Sequence, residues 1–130
     1  MKTNKELLDA IYAHFPESED KDETMSLLIT DSIETGITYW CSRWPKVSNP
    51  DDEEHFYSEK IWEDVKAGKT LTFGDEDEKG DLNLESILKS LDTLKKHSPD
   101  TYQEIQDENW DACSCDEFFQ TAIFGEIVFG

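Results

Sequence analysis

Residues 70–97, TLTFGDEDEKGDLNLESILKSLDTLKKH, change their hydrophobic period halfway, and that change decides the fold class. Thr70-Leu71-Thr72-Phe73 and Asp81-Leu82-Asn83-Leu84 each alternate polar and apolar residues, the two-residue period of a half-buried strand. Between them residues 74–80, Gly-Asp-Glu-Asp-Glu-Lys-Gly, carry glycine at both ends. The pair therefore reads as a hairpin over about 70–84 with a long acidic tip. From Leu84 the spacing switches: Leu84, Ile87, Leu88, Leu91 and Leu94 recur every three or four residues along one helix face. Lys95, Lys96 and His97 stand in its last turn, where the helix dipole favours cations. A hairpin running straight into a helix predicts an α+β fold.

Working outward, helical signals dominate. Thr3 and Glu6 have capping-box spacing ahead of Leu7, Leu8, Ile11, Tyr12 and Phe15, a stripe that stops before Pro16. Residues 17–23 read as a charged connector. Thr24 then caps a second helix whose stripe is Met25, Leu28, Ile29, Ile33, Gly36, Ile37 and Trp40, reaching about Cys41. Residues 47–54, with Asn49-Pro50, form a loop. Ser58 caps a short helix carrying Ile61, Trp62 and Val65, closed by Gly68. Ser98-Pro99 starts another through about Ile105, and Ser114 with Glu117 caps a last one bearing Phe118, Phe119, Ala122, Ile123 and Ile127. The expectation is one domain over residues 1–130: four or five helices packed with a small antiparallel sheet, Leu88 and Leu91 facing Ile29 or Ile33.

Charge limits what such a domain binds. Twelve Lys and Arg stand against 31 Asp and Glu, a formal charge of −19. Phosphate recognition needs clustered cations, and Arg43 is the only arginine, so direct nucleic-acid binding is excluded. Anionic membranes are disfavoured by the same repulsion, and no stretch approaches the roughly 18 apolar residues of a membrane span. The start, Met-Lys-Thr-Asn-Lys-Glu, leads into an amphipathic stretch and not a signal core, which points to the cytoplasm. Cys41, Cys113 and Cys115 are odd in number and read as reduced thiols. His14, His55 and His97 are scattered, so neither metal nor cofactor is implied. Asp75, Asp77 and Gly80 fit three positions of a calcium loop, but Lys79 and Ser86 stand where two oxygen ligands belong, and the EF-hand reading fails.

The carboxylates come in runs. Glu17, Glu19, Asp20, Asp22 and Glu23 form one; Asp51, Asp52, Glu53 and Glu54 another; Asp75, Glu76, Asp77, Glu78 and Asp81 the third. B-DNA carries one charge per roughly 1.7 Å, so nineteen charges match about 32 Å of duplex. A compact chain of this length is about 35 Å across. The net charge density therefore rivals that of DNA of the same size. Trp40 and Trp62 fall on apolar stripes and belong to the core; Trp44 and Trp110 fall near loops and suit partner anchors. No nucleophile or phosphate-loop motif occurs. Glu126 is the only charge in residues 122–130 and reads as buried, first as a partner of a backbone end and second as a site for a raised pKa.

Two segments carry a resemblance. The C-terminal stretch contains Asn109-Trp110-Asp111-Ala112, Asp116 and Gln120, and closes in Ala-Ile-Phe-Gly-Glu-Ile-Val-Phe-Gly over residues 122–130. It resembles a group of small phage- and prophage-encoded proteins whose last residues are Phe-Gly-Glu-Ile-Val, then Tyr-Gly. Here Phe129 replaces that Tyr. Residues 30–41, with Gly36-Ile37-Thr38-Tyr39-Trp40-Cys41, look like the group's other signature. The resemblance implies a mobile-element origin and no mechanism.

Three readings follow. The first is a non-enzymatic inhibitor of a host defence nuclease (anti-CRISPR or anti-restriction), in the bacterial cytoplasm. It would fill the basic groove of a nuclease or effector complex through Glu19, Asp20, Asp22, Glu23, Asp51, Asp52, Glu53, Glu54, Asp75, Glu76, Asp77 and Glu78. The second is a phage accessory module binding a protein through an aromatic surface with Trp44 and Trp110 as anchors, the charge serving solubility. The third is a small enzyme using Glu126 with Asp111 or Cys113.

Overall fold

The computed structural model describes residues 2–45 and 58–130. Among the described residues, six α-helices and one two-stranded antiparallel sheet make an α+β fold: α1 (Asn4–Tyr12), α2 (Lys21–Asp31), α3 (Ser58–Lys66), β1 (Leu71–Gly74), β2 (Lys79–Leu82), α4 (Leu84–His97), α5 (Pro99–Gln106) and α6 (Ala112–Phe124). A single wide turn of π-helix, Ser32–Gly36, follows α2. The helices exceed the four or five expected, and no helix among the described residues is long and apolar enough to cross a membrane.

Caps set the helix starts. Thr3 and Glu6 exchange both bonds of a capping box at α1. Asn83 and Ser86 do the same at α4. At α2 the cap is Asp20, whose carboxylate accepts the Glu23 N–H at 3.1 Å, so the helix begins before the expected Thr24. Residues read as a charged connector thus form its first turn, where acids complement the positive end of the helix dipole. Thr24 is buried instead, its hydroxyl donating to Glu108 at 2.8 Å. At α6 the cap is Asp111, with Ser114 as its reciprocal partner, and not Ser114 with Glu117. The Glu117 carboxylate takes the hydroxyls of Ser98 and Thr101 and ties α5 to α6.

The expected hairpin forms with a shorter tip. Leu71 pairs with Leu82 and Phe73 with Gly80, which puts Leu71, Phe73 and Leu82 on one buried face. The strands run through Gly74 and Lys79, leaving residues 75–78 as the turn. α6 is the hub, packed against α4, β2, α2, α5 and the π turn; α3 lies on α2, and α1 on α4. The stripe Met25, Leu28, Ile29, Ile33, Ile37 and Trp40 is wholly buried. Leu91 is fully buried and Leu88 half-buried, but α4 meets mainly α6 and α1, not the Ile29 and Ile33 face of α2. Ser90 shows the α4–α6 closeness: its hydroxyl donates to the Phe118 carbonyl at 2.8 Å.

Candidate functional site

Residues 30–41 and the C-terminal segment, which carry the resemblance, meet. After α2, the Ser32 hydroxyl donates to the Leu28 carbonyl and the Thr35 hydroxyl to that of Asp31, both at 2.7 Å. The Ile37 N–H reaches back to Ser32 at 3.0 Å, the widened turn of a π-helix. Gly36 lies against the start of α6, where a Cβ would stand 3.0 Å from both the Asp116 nitrogen and the Cys115 Cβ. That close approach delivers Tyr39 and Trp40 to one carboxylate. The Trp40 indole N–H donates to Asp116 Oδ1 at 2.7 Å and the Tyr39 hydroxyl to Asp116 Oδ2 at 2.6 Å.

One helical turn beyond Asp116, the buried Gln120 amide grips the C-terminal tail. Its Oε1 accepts the N–H groups of Val128 and Phe129, each at 2.8 Å. Its Nε2 donates to the Phe129 carbonyl at 3.0 Å and to Asp116 at 3.0 Å. Gly125, with φ of 80°, ends α6 in the left-handed conformation and turns the tail back. Phe129 then stacks on Trp40, and Phe124 packs against both rings. Residues 122–130 were expected to bury Glu126 and Ile127. The turn at Gly125 leaves both exposed and buries the Gln120 amide in their place.

The clasp pairs its buried polar atoms with one another. No buried side-chain nitrogen or oxygen among the described residues lacks a partner. Partial burial of the hydroxyl end, then the hydrogen bond to Asp116, push the Tyr39 phenol up to about 12, so it stays protonated and donates. Burial raises the Cys115 thiol to about 11 and raises Cys41 as well, which disfavours the thiolate form of both. Of the residues in the third reading, Glu126, read as buried, is exposed, Asp111 is occupied as a helix cap, and Cys113 is an exposed free thiol. Among the described residues no group of three or more His, Cys, Asp and Glu could hold a metal ion.

The acidic runs divide by role. Glu19 and Glu23 are exposed, but Asp20 caps α2. Asp22 accepts from the Tyr12 hydroxyl at 3.1 Å, the Trp62 indole at 2.9 Å and the Lys66 ammonium at 2.8 Å. It joins α1, α2 and α3 and is not a free docking charge. At the hairpin tip Asp75 accepts the N–H groups of Asp77 and Glu78 at 2.8 and 2.7 Å. Glu76, Asp77 and Glu78 stay exposed on that fixed turn, Glu76 lying 3.9 Å from Arg43. Asp51, Asp52, Glu53 and Glu54 lie outside the described residues.

The two candidate anchors part company. Trp44 is exposed and meets Phe73 edge-on at 6.2 Å. Trp110 is half-buried against the core, and its indole donates to Asp31 at 2.8 Å, so it is a structural residue. With Trp40 on Asp116 and Trp62 on Asp22, three tryptophans each donate to an aspartate. The partners lie 40 to 79 residues apart, a spacing no local pattern announces. Asp116 and Gln120, by contrast, were among the residues that carry the C-terminal resemblance. The chain matches no protein-family model, no curated protein and no solved structure.

Proposed function

We propose that the protein is a non-enzymatic inhibitor that presents a nucleic-acid-like field of charge to the basic groove of a host defence nuclease, a CRISPR effector or restriction enzyme. The observation that carries this reading is where the carboxylates stand. The chain has 19 excess negative charges, yet among the described residues Asp64 is the only buried carboxylate. Among the described residues the other carboxylates therefore keep contact with solvent, where they attract a cationic surface. The hairpin supports it further by setting Glu76, Asp77 and Glu78 on a turn stiffened by Asp75. The resemblance of the C-terminal segment to phage-encoded proteins supplies the kind of target.

The test is a salt titration of binding to a purified CRISPR effector, with duplex DNA as competitor. Charge mimicry predicts competition with DNA and a linear fall of log affinity with log salt. Binding that neither competes with DNA nor weakens between about 50 and 200 mM salt overturns the reading.

A further inference from the structure

The exposed apolar surface is concentrated at the clasp. The large hydrophobic side chains most open to solvent among the described residues are Leu27, Tyr39, Trp44, Ile127 and Val128. Tyr39 and Ile127, 58% and 48% exposed, line one groove of about 510 Å³ between the π turn, the start of α6 and the tail. Gly36, Ala112, Cys113 and Phe129 complete its apolar lining. Gln120 and the Trp40–Phe129 stack fix its walls, so the groove is formed before anything binds.

The charged residues among the described lining of the groove are all acidic. Asp116 and Glu117 line it, and Glu34, Asp111 and Glu126 stand exposed on the three segments that frame it. Residues 22–42 and 97–130, which supply the whole unit, contain neither lysine nor arginine. A second copy of the chain, itself at −19, is repelled from such a surface. An apolar floor inside a wholly acidic frame matches an occupant with the opposite pattern. We infer that this groove docks a cationic amphipathic segment of a partner protein, its apolar side chains against Tyr39 and Ile127 and its Lys or Arg side chains towards the surrounding carboxylates. The inference rests on the reading of a basic protein partner and adds to it an apolar contact, distinct from the hairpin tip.

Two probe peptides test it on the full chain: twelve residues of repeating Leu-Lys-Lys-Leu, and twelve lysines. The Leu/Lys peptide is expected to shift the amide resonances of Tyr39, Cys113 and Ile127, and to keep measurable affinity at a salt concentration that abolishes binding of the lysine peptide. Ile127→Lys, at an exposed position, is expected to melt with the parent and to weaken the Leu/Lys peptide at least about tenfold while weakening the lysine peptide less than about threefold. Ile127→Ser serves as a milder second variant with the same ordering. Shifts confined to the hairpin tip, equal losses for both peptides, or self-association of the chain through Tyr39 and Ile127 each overturn the inference. Neutralising the tip leaves the groove intact and tests the charge reading, so the two fail separately.

Discussion

The Trp40 indole lies flat on the Phe129 ring, their centroids 4.8 Å apart and their planes 6° from parallel. Chain positions 89 residues apart are thereby joined, and the C-terminal tail becomes a wall of the core. Stacking of this kind adds about 0.5–1.5 kcal/mol to the burial of the rings. Phe129 is half-buried, so its burial contributes less than the full value for a phenylalanine. Phe129→Ala is expected to cost about 1–3 kcal/mol in denaturant unfolding, and Phe129→Leu clearly less. Equal stabilities for Phe129→Ala and the parent would show the tail to be an appendage.

Gln120 makes a sharper test, because one atom decides it. In Gln120→Glu both acceptor bonds to the tail survive, but the donor to Asp116 and to the Phe129 carbonyl becomes a carboxylate oxygen. A buried charge then faces Asp116 with no proton between them. Lost buried hydrogen bonds cost about 1–3 kcal/mol each, so a loss of about 2–4 kcal/mol at pH 7 is expected. Burial and the neighbouring acid raise the new carboxyl's pKa in the folded state, so its protonation restores a donor and the gap to the parent narrows as pH falls towards 5. A gap that stays constant between pH 7 and 5 contradicts this account.

How far the sequence reached depends on the kind of force. Buried stripes were legible: Ile61, Trp62 and Val65, or Leu84, Ile87, Leu91 and Leu94, sit where their period puts them, because burial repeats with the helix turn. Helix starts were less so, since Asp20 and Thr24 are both good caps and only the packed structure chooses Asp20. The π turn was hidden because Ile33, Gly36, Ile37 and Trp40 keep an apolar spacing straight through it. Polar tertiary partners were hidden altogether. Nothing near Trp110 in the chain marks Asp31 as its acceptor, so an indole read as a docking anchor is held inward.

The Asp22 cluster links stability to pH at both ends of the range. Burial pushes the Asp22 carboxyl up, but hydrogen bonds from Lys66, Trp62 and Tyr12 outweigh it and hold it below the usual carboxylate range. A lowered acid stabilises the fold above its unfolded pKa, about 3.9, and that stabilisation disappears as pH falls through the lower folded value. Tyr12 runs the other way: burial first, then Asp22, raise its phenol, so its contribution is complete below about pH 10 and is lost at higher pH. Asp22→Asn is expected to cost about 1 kcal/mol near neutrality, a modest figure because the side chain is half exposed. Thermal melts should show that gap flat from pH 6 to 9, narrowing below about 4 and above about 10. A gap independent of pH throughout would place the charge of Asp22 outside the cluster's energetics.

The hairpin tip decides between a charge that binds and a charge that only solvates. Glu76→Gln, Asp77→Asn and Glu78→Gln together remove three exposed charges at nearly constant volume, leaving Asp75 to hold the turn. The Arg43–Glu76 pair is wide and exposed at 3.9 Å, so its loss costs little. Lower self-repulsion should leave the melt unchanged or slightly raised. Each rim contact with a cationic groove is worth a few tenths to about 1 kcal/mol, so the triple variant should bind a target effector about one to two decades more weakly. The same change at Glu17, Glu19 and Glu23 is the comparison, since those three are equally exposed but lie on the approach to and first turn of α2. A larger loss at the tip assigns the contact to the hairpin, and equal losses assign it to the field of the whole surface. If neither triple variant changes binding to an effector that the parent inhibits, the carboxylates serve solvation and the charge-mimic reading falls.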